Sequence, residues 1–271
     1  MGSDSISARG PDEDRAKGPA EFESDPNFAD SGARFLLGVL GGMGPLATVD
    51  FLAKLIDATP ADGDGDHVPV VVASIPQIPS RVEAILGQGT SPLPALIAAR
   101  DRLLAAGATM LAMPCNTAHH WHAALAGDAG VPFLHIGEAA IAEIARSVAP
   151  AAPVGVIATA ATHEIGLYAE PLRRAGYGVI VPRGPDAARV ADGIACVKRG
   201  EVAQGGRRFA AVLEALARAG AAAVVLGCTE VPPGLAAGGG APAVPCVDAT
   251  AALARACVGR WQAHRTPGGG R

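Results

Sequence analysis

The sequence predicts an α/β protein built as two pseudo-symmetric parallel-sheet α/β domains, the product of an internal duplication, with the active site in the cleft between them. Three observations carry this. Short apolar runs alternate with segments of helical spacing along nearly the whole chain, the pattern of parallel sheets covered by helices. The pattern restarts at mid-chain: Gly38-Val39-Leu40 is matched by Gly155-Val156-Ile157 and Cys115 by Cys228, at offsets of 117 and 113 residues, too long a period for a solenoid. The two cysteines also share their surroundings. Each follows an Ala-Gly-Ala lead-in (106–108 and 219–221) and a short apolar run, and each precedes a threonine, in Pro114-Cys115-Asn116-Thr117 and Gly227-Cys228-Thr229.

Taken in order, residues 1–33 are rich in Ser, Asp, Glu, Gly and Pro without a helical or strand period, and are expected to be a disordered tail. Residues 35–40 read as a buried parallel strand. Gly41-Gly42-Met43-Gly44-Pro45 is a turn, and Pro45 suits the first turn of a helix over 46–58. A strand follows at 68–73, a stiff extended loop at 76–81, a helix at 93–106 and a strand at 110–113. After Cys115 a helix is expected over 117–125, with Asn116 and Thr117 as good N-cap types. A short strand at 132–136 and a helix at 138–148 complete the first half. The second half gives a strand at 154–157, a turn at 158–162, a helix at 164–175 and a strand at 178–181. Helices at 186–198 and 203–219, strands at 223–226 and 243–247, and a closing helix at 249–264 follow, before a Gly-rich tail at 266–271. The expected domains are 34–132 plus 244–265, and 133–243, between tails at 1–33 and 266–271.

Composition narrows the function. The 271 residues suit two domains, and 49% apolar against 4% aromatic content leaves Leu, Val, Ile and Ala to fill the cores. A net charge of −4 offers no basic footprint, so no nucleic-acid partner is expected. No apolar run is long enough to span a bilayer, and the polar, acidic N-terminus lacks the apolar segment of a signal peptide. Met1-Gly2 begins like a myristoylation signal, but Ile6 stands where Ser or Thr is required. A cytoplasmic protein without a membrane partner is expected. Five cysteines, an odd number with no Cys-x-x-Cys, read as free thiols.

Chemistry concentrates at the two cysteine turns. Ligands of parallel sheets bind beyond the carboxyl ends of the strands, so both thiols are expected on the walls of one cleft. A thiol at a strand-to-helix turn meets free backbone N–H groups and the positive end of a helix, which should favour the thiolate. The alternative, core filling, does not explain two matching turns. Gly42-Met43-Gly44-Pro45-Leu46-Ala47 fits a dinucleotide loop, but its proline, and acids (Asp62, Asp64, Asp66) that lie in a Gly-Asp loop instead of at a strand end, point to backbone N–H groups holding a carboxylate. His119, His120 and His122 lack a second cysteine or carboxylate set nearby. They are read as surface or supporting residues, and no metal is expected. A pyridoxal phosphate enzyme needs a Schiff-base lysine; Lys17 lies in the tail, Lys54 inside the first helix, and Lys198 at a helix end where a dipole partner is the simpler role. Arg81, after the stiff loop, is either an exposed residue or a bidentate carboxylate holder.

Together these residues resemble the aspartate/glutamate racemase family, in its aspartate racemase branch. The matching pieces include Gly41-Gly42-Met43-Gly44-Pro45, Asp66-His67-Val68-Pro69, Pro76-Gln77-Ile78-Pro79, Pro114-Cys115-Asn116-Thr117-Ala118-His119, Gly166-Leu167-Tyr168, Lys198-Arg199-Gly200 and Gly227-Cys228-Thr229-Glu230. They run from about Phe35 to Trp261. The resemblance implies racemisation of a small amino acid, aspartate or glutamate, with no cofactor. It places the paired catalytic cysteines on Cys115 and Cys228, the substrate-carboxylate arginine on Arg81 and the family's lysine on Lys198. Asn116, Thr117 and Thr229 fall on positions that hold the α-carboxylate and amino group, and Met43, Thr159 and Thr162 on pocket-lining positions. It further implies that the last helix packs back onto the first domain and that the protein is a homodimer. Ser80, where the family commonly has Asp, and the Trp121-His122 pair depart from the pattern. A cousin reading, an isomerase or decarboxylase of a small dicarboxylate using one cysteine, and a two-lobed amino-acid-binding module fit the same fold.

Overall fold

The computed structural model describes residues 35–238 and 240–265; the two expected tails, 1–33 and 266–271, lie outside the described residues. Two parallel sheets form the frame. In the first, β1 (Leu37–Gly41), buried along its length, lies between β2 (Val70–Ser74) and β3 (Met110–Ala112). In the second, β4 (Pro153–Ile157) lies between β5 (Gly178–Ile180) and β6 (Ala223–Leu226), and β7 (Cys246–Asp248) pairs with β6. Every pairing is parallel. The order β2-β1-β3 therefore recurs as β5-β4-β6.

The duplication reaches the packing. Gly38 of β1 is paired with Leu111, and Gly155 of β4 with Val224. A Cβ on Gly38 would lie 2.7 Å from Leu111 and 2.8 Å from Ala108; one on Gly155 would lie 2.9 Å from Val224 and 3.5 Å from Ala221. The repeated lead-in is thus explained. The helix before each cysteine strand, α3 (Leu93–Ala105) or α9 (Val202–Arg218), ends on a glycine at φ +88° (Gly107) or +87° (Gly220). The alanine that follows tucks under the central strand, where a larger residue would force the sheet apart.

Helix α1 (Pro45–Ala58) begins at its proline, and the closing helix α11 (Ala249–Arg265) packs on it and on α5 (Ile136–Ser147). Lys54 is spent structurally: its Nζ pairs with Asp50 and lies 2.6 Å from Asp248 at the end of β7. The stretch from 244 onward, assigned to the first domain, therefore contributes a strand to the second sheet, through β7, as well as a helix against α1. Among the described residues, no helix is long and apolar enough to cross a membrane.

Several expected elements differ. Residues 132–136 make only one bridge, Leu111 to Phe133, because α5 starts at Ile136, where His135 Nδ1 accepts the Glu138 N–H as a cap. The expected turn at 158–162 holds the start of α6 (Ala160–Glu164), capped by Thr159. The helix expected over 164–175 is interrupted at Gly166 (φ +66°) and resumes as α7 (Ala169–Arg174). The extended loop at 76–81 ends in α2 (Arg81–Ile85), whose N-cap is Ser80. After Cys115 the chain makes a 3₁₀ segment, Thr117–Trp121, before α4 (His122–Gly127), and Asn116 makes no side-chain cap. The helix α10 (Val231–Gly238) escaped the sequence reading because Pro232-Pro233 opens it.

That last helix sets the second cysteine turn. It packs on α9, which α8 (Pro185–Lys198) also flanks, and a Cβ on Gly206 of α9 would lie 1.9 Å from the Gly234 carbonyl oxygen. Gly206→Ala is therefore expected to destabilise the fold by about 2–3 kcal/mol through overpacking against backbone, read as a lower urea midpoint. An unchanged midpoint would mean that the two helices slide freely.

Candidate active site

Both cysteine turns open into one cavity of about 40 Å³. Beyond β3, Cys115, Asn116 and Thr117 form one wall; beyond β6, Cys228, Thr229 and Glu230 form the other. Met43, from the glycine turn before α1, Arg81 and Val82, from α2, and Thr159 and Lys198 also line it. Of the ten site residues expected from sequence, Thr162 alone does not line the cavity. It stands behind the wall, its hydroxyl 2.8 Å from that of Thr117 and 2.9 Å from that of Thr159. Thr117 and Thr159 are 3.1 Å apart, so three hydroxyls tie the first cysteine turn to the start of α6.

Among the described residues four buried side-chain polar atoms have no hydrogen-bond partner, and two of them, Arg81 Nε and Asn116 Nδ2, belong to this site. Both residues line the cavity, and a buried unpaired donor is costly. Their orientation is fixed from behind: Tyr168 donates its hydroxyl to Asn116 Oδ1, and Arg81 Nη1 donates to the carbonyls of Ile78 and Pro79, each at 2.9 Å. The arrangement offers N–H groups to an anion.

The expectation that the turns favour thiolates is corrected. Both thiols are buried, and burial pushes both above the ordinary cysteine range. Arg81 and the Ala118 backbone N–H draw Cys115 part of the way back. Cys228 is pushed well above its ordinary value, by burial and then by the Glu230 carboxylate, whose Oε2 accepts from Cys228 Sγ at 3.0 Å and from Thr229 Oγ1 at 3.1 Å. The 3₁₀ segment after Cys115 supplies a weaker dipole than the expected helix. The walls are therefore unequal, with a cation toward Cys115 and an anion against Cys228.

Lys198 is half exposed, its Nζ 4.0 Å from Glu230 Oε1, so it answers the carboxylate as well as the helix end. His119 is not a surface residue. Its ring is buried, Nε2 accepts the Ile136 N–H at 3.1 Å, and Nδ1–H donates to the Cys115 carbonyl at 2.9 Å. Burial holds it uncharged, so it braces the turn. His120 is exposed and His122 half-buried. Sequence reading missed the parts played by Glu230 and Tyr168, although both stood inside quoted motifs. An acid two residues after a repeated cysteine was the available signal.

A family model described as Asp/Glu/Hydantoin racemase matches residues 40–257. The broad specificity amino-acid racemase RacX of Bacillus subtilis (strain 168) is 32% identical over 149 residues, 54% of this chain; the match spans 63% of that protein, less than two thirds of its length. Among solved structures, the aspartate racemase of Picrophilus torridus is similar with a TM-score of 0.73 and 29% identity, covering 84% of this chain and 94% of that one. The glutamate racemase of Francisella tularensis in complex with D-glutamate is similar in fold, with a TM-score of 0.60 and 17% identity over 88% and 85% of the two chains.

Proposed function

The chain belongs to the Asp/Glu/hydantoin racemase family, and from that premise we propose that it racemises aspartate or glutamate without a cofactor, by proton transfer at Cα between Cys115 and Cys228. The observation that carries this is the meeting of two thiols, from equivalent turns of a duplicated fold, in one cavity with two unpartnered N–H donors. Inverting a carbon acid needs a base on one face and an acid on the other, and in this reading the two thiols of the one cavity supply both.

In one direction the Cys115 thiolate takes the Cα proton and the Cys228 thiol delivers its own to the opposite face. The negative charge passes from one sulfur to the other, and the reverse reaction restores it. The unequal walls suit this start: the thiol beside Glu230 keeps its proton most firmly, while Arg81 assists ionisation of Cys115. The substrate's ammonium group adds a positive charge between two desolvated sulfurs. As charge builds on the α-carboxylate, Asn116 Nδ2, Thr117 and Thr229 stabilise it in place of water. Arg81 receives the side-chain carboxylate. A cavity of about 40 Å³ has room for a few waters at most, so substrate entry requires the walls to part, and closure then excludes solvent.

Incubation in D₂O tests the reading. The purified chain with L-aspartate and no added cofactor is expected to yield D-aspartate carrying deuterium at Cα. Aspartate and glutamate recovered without inversion or exchange would overturn it.

A further inference from the structure

The catalytic cavity, of about 40 Å³, adjoins a larger and mostly apolar space. A second cavity, of about 240 Å³, shares Val82, Thr159 and Lys198 with the catalytic one. The remaining wall is largely hydrocarbon, from Ala158, Pro182, Val190, Ala191 and Ile194. An apolar cavity of about 150 Å³ already holds a benzene ring.

The polar groups at the junction are engaged elsewhere. The Thr159 hydroxyl is bonded to those of Thr117 and Thr162. Lys198 Nζ lies 4.0 Å from Glu230 Oε1 of the catalytic cavity, and its methylene stem adds hydrocarbon to the junction. His163, the other polar lining residue, is held uncharged at neutral pH by burial. A carboxylate entering this space would lose its water against a mostly hydrocarbon wall, which a hydrocarbon chain would fill more favourably. The partition is also compliant. Val82 is half-buried on the five-residue helix α2, and Lys198 is half exposed at the last turn of α8.

We infer that this second cavity is a side-chain subsite, and that the enzyme turns over amino acids with apolar side chains of the leucine, methionine and phenylalanine class as well as dicarboxylic ones. The inference rests on the racemase reading and extends its substrate class. The α-carboxylate and Cα stay between the two cysteines in both cases. A short acidic side chain stays with Arg81, and a longer apolar one passes Val82 into the annex.

The test follows deuterium exchange at Cα for L-aspartate, L-leucine, L-methionine and L-phenylalanine with the full chain and two variants. Ala187→Phe and Ala191→Phe each place a ring in the annex from exposed positions on α8; circular dichroism and melting temperature check that each folds. Exchange of the apolar amino acids by the wild type is expected, with the kcat/KM ratio of phenylalanine to aspartate falling at least tenfold in one or both variants. Exchange of aspartate but of no apolar amino acid overturns the subsite and leaves the racemase reading standing. An unchanged ratio in both folded variants also overturns the subsite. Apolar exchange without aspartate exchange supports the subsite and removes the dicarboxylate assignment. No exchange of any amino acid removes the racemase reading and the subsite with it.

Discussion

Cys115→Ala and Cys228→Ala are each expected to lower aspartate racemisation by about 10³-fold or more, the upper part of the range for a lost general acid or base. The two directions must fall together. Enantiomers have equal free energy in water, so the ratio of kcat/KM for L- and D-substrate stays at unity whichever thiol is removed. A variant that retains near-normal racemisation would rule out the two-thiol scheme. The pH profile gives a second readout. The base acts as a thiolate, and burial raises both thiols above the ordinary cysteine value of about 8.5. In the free enzyme the reactive thiolate is scarce at neutral pH and grows as pH rises toward the raised values, so kcat/KM should still be climbing above pH 8.5. A plateau reached below pH 7 would mean that the sulfurs ionise far more readily than their surroundings allow.

Arg81→Ala is expected to lower kcat/KM for aspartate by about a hundredfold, chiefly through KM, the scale of removing one partner of a buried charge pair, ~3 kcal/mol. The guanidinium is already aimed, since Nη1 is held by two backbone carbonyls and Nε is left without a partner. Arg81→Lys keeps a charge but loses the planar fork, so it should recover only part of the loss. Unchanged kinetics on both aspartate and glutamate would detach Arg81 from the side chain.

Much of this was legible in one sequence because it rests on short-range grammar. An apolar run ended by a small residue and a cysteine reads as a strand leading into a turn, and two copies with the same alanine-glycine lead-in read as a duplication. What misled was equally local. His135 and Thr159 each cap a helix that begins where a strand or turn was expected. Gly166 breaks a helix whose apolar spacing runs on. Pro232-Pro233 stands in the first turn of α10, where no helix was expected.

By itself, the sequence determined the two parallel sheets, their equivalence, and the residues that meet at the ends of the strands, because side-chain period and turn chemistry are properties of neighbours along the chain. Only the tertiary structure decided the electrostatic state of those residues. The proton affinity of a thiol is set by the water it loses and the charges brought near it from elsewhere. Burial overrode the turns at both sulfurs, Glu230 and Arg81 made the two walls unequal, and the apolar annex beyond Val82 exists only because residues of α2, α6 and α8, distant in sequence, line one space.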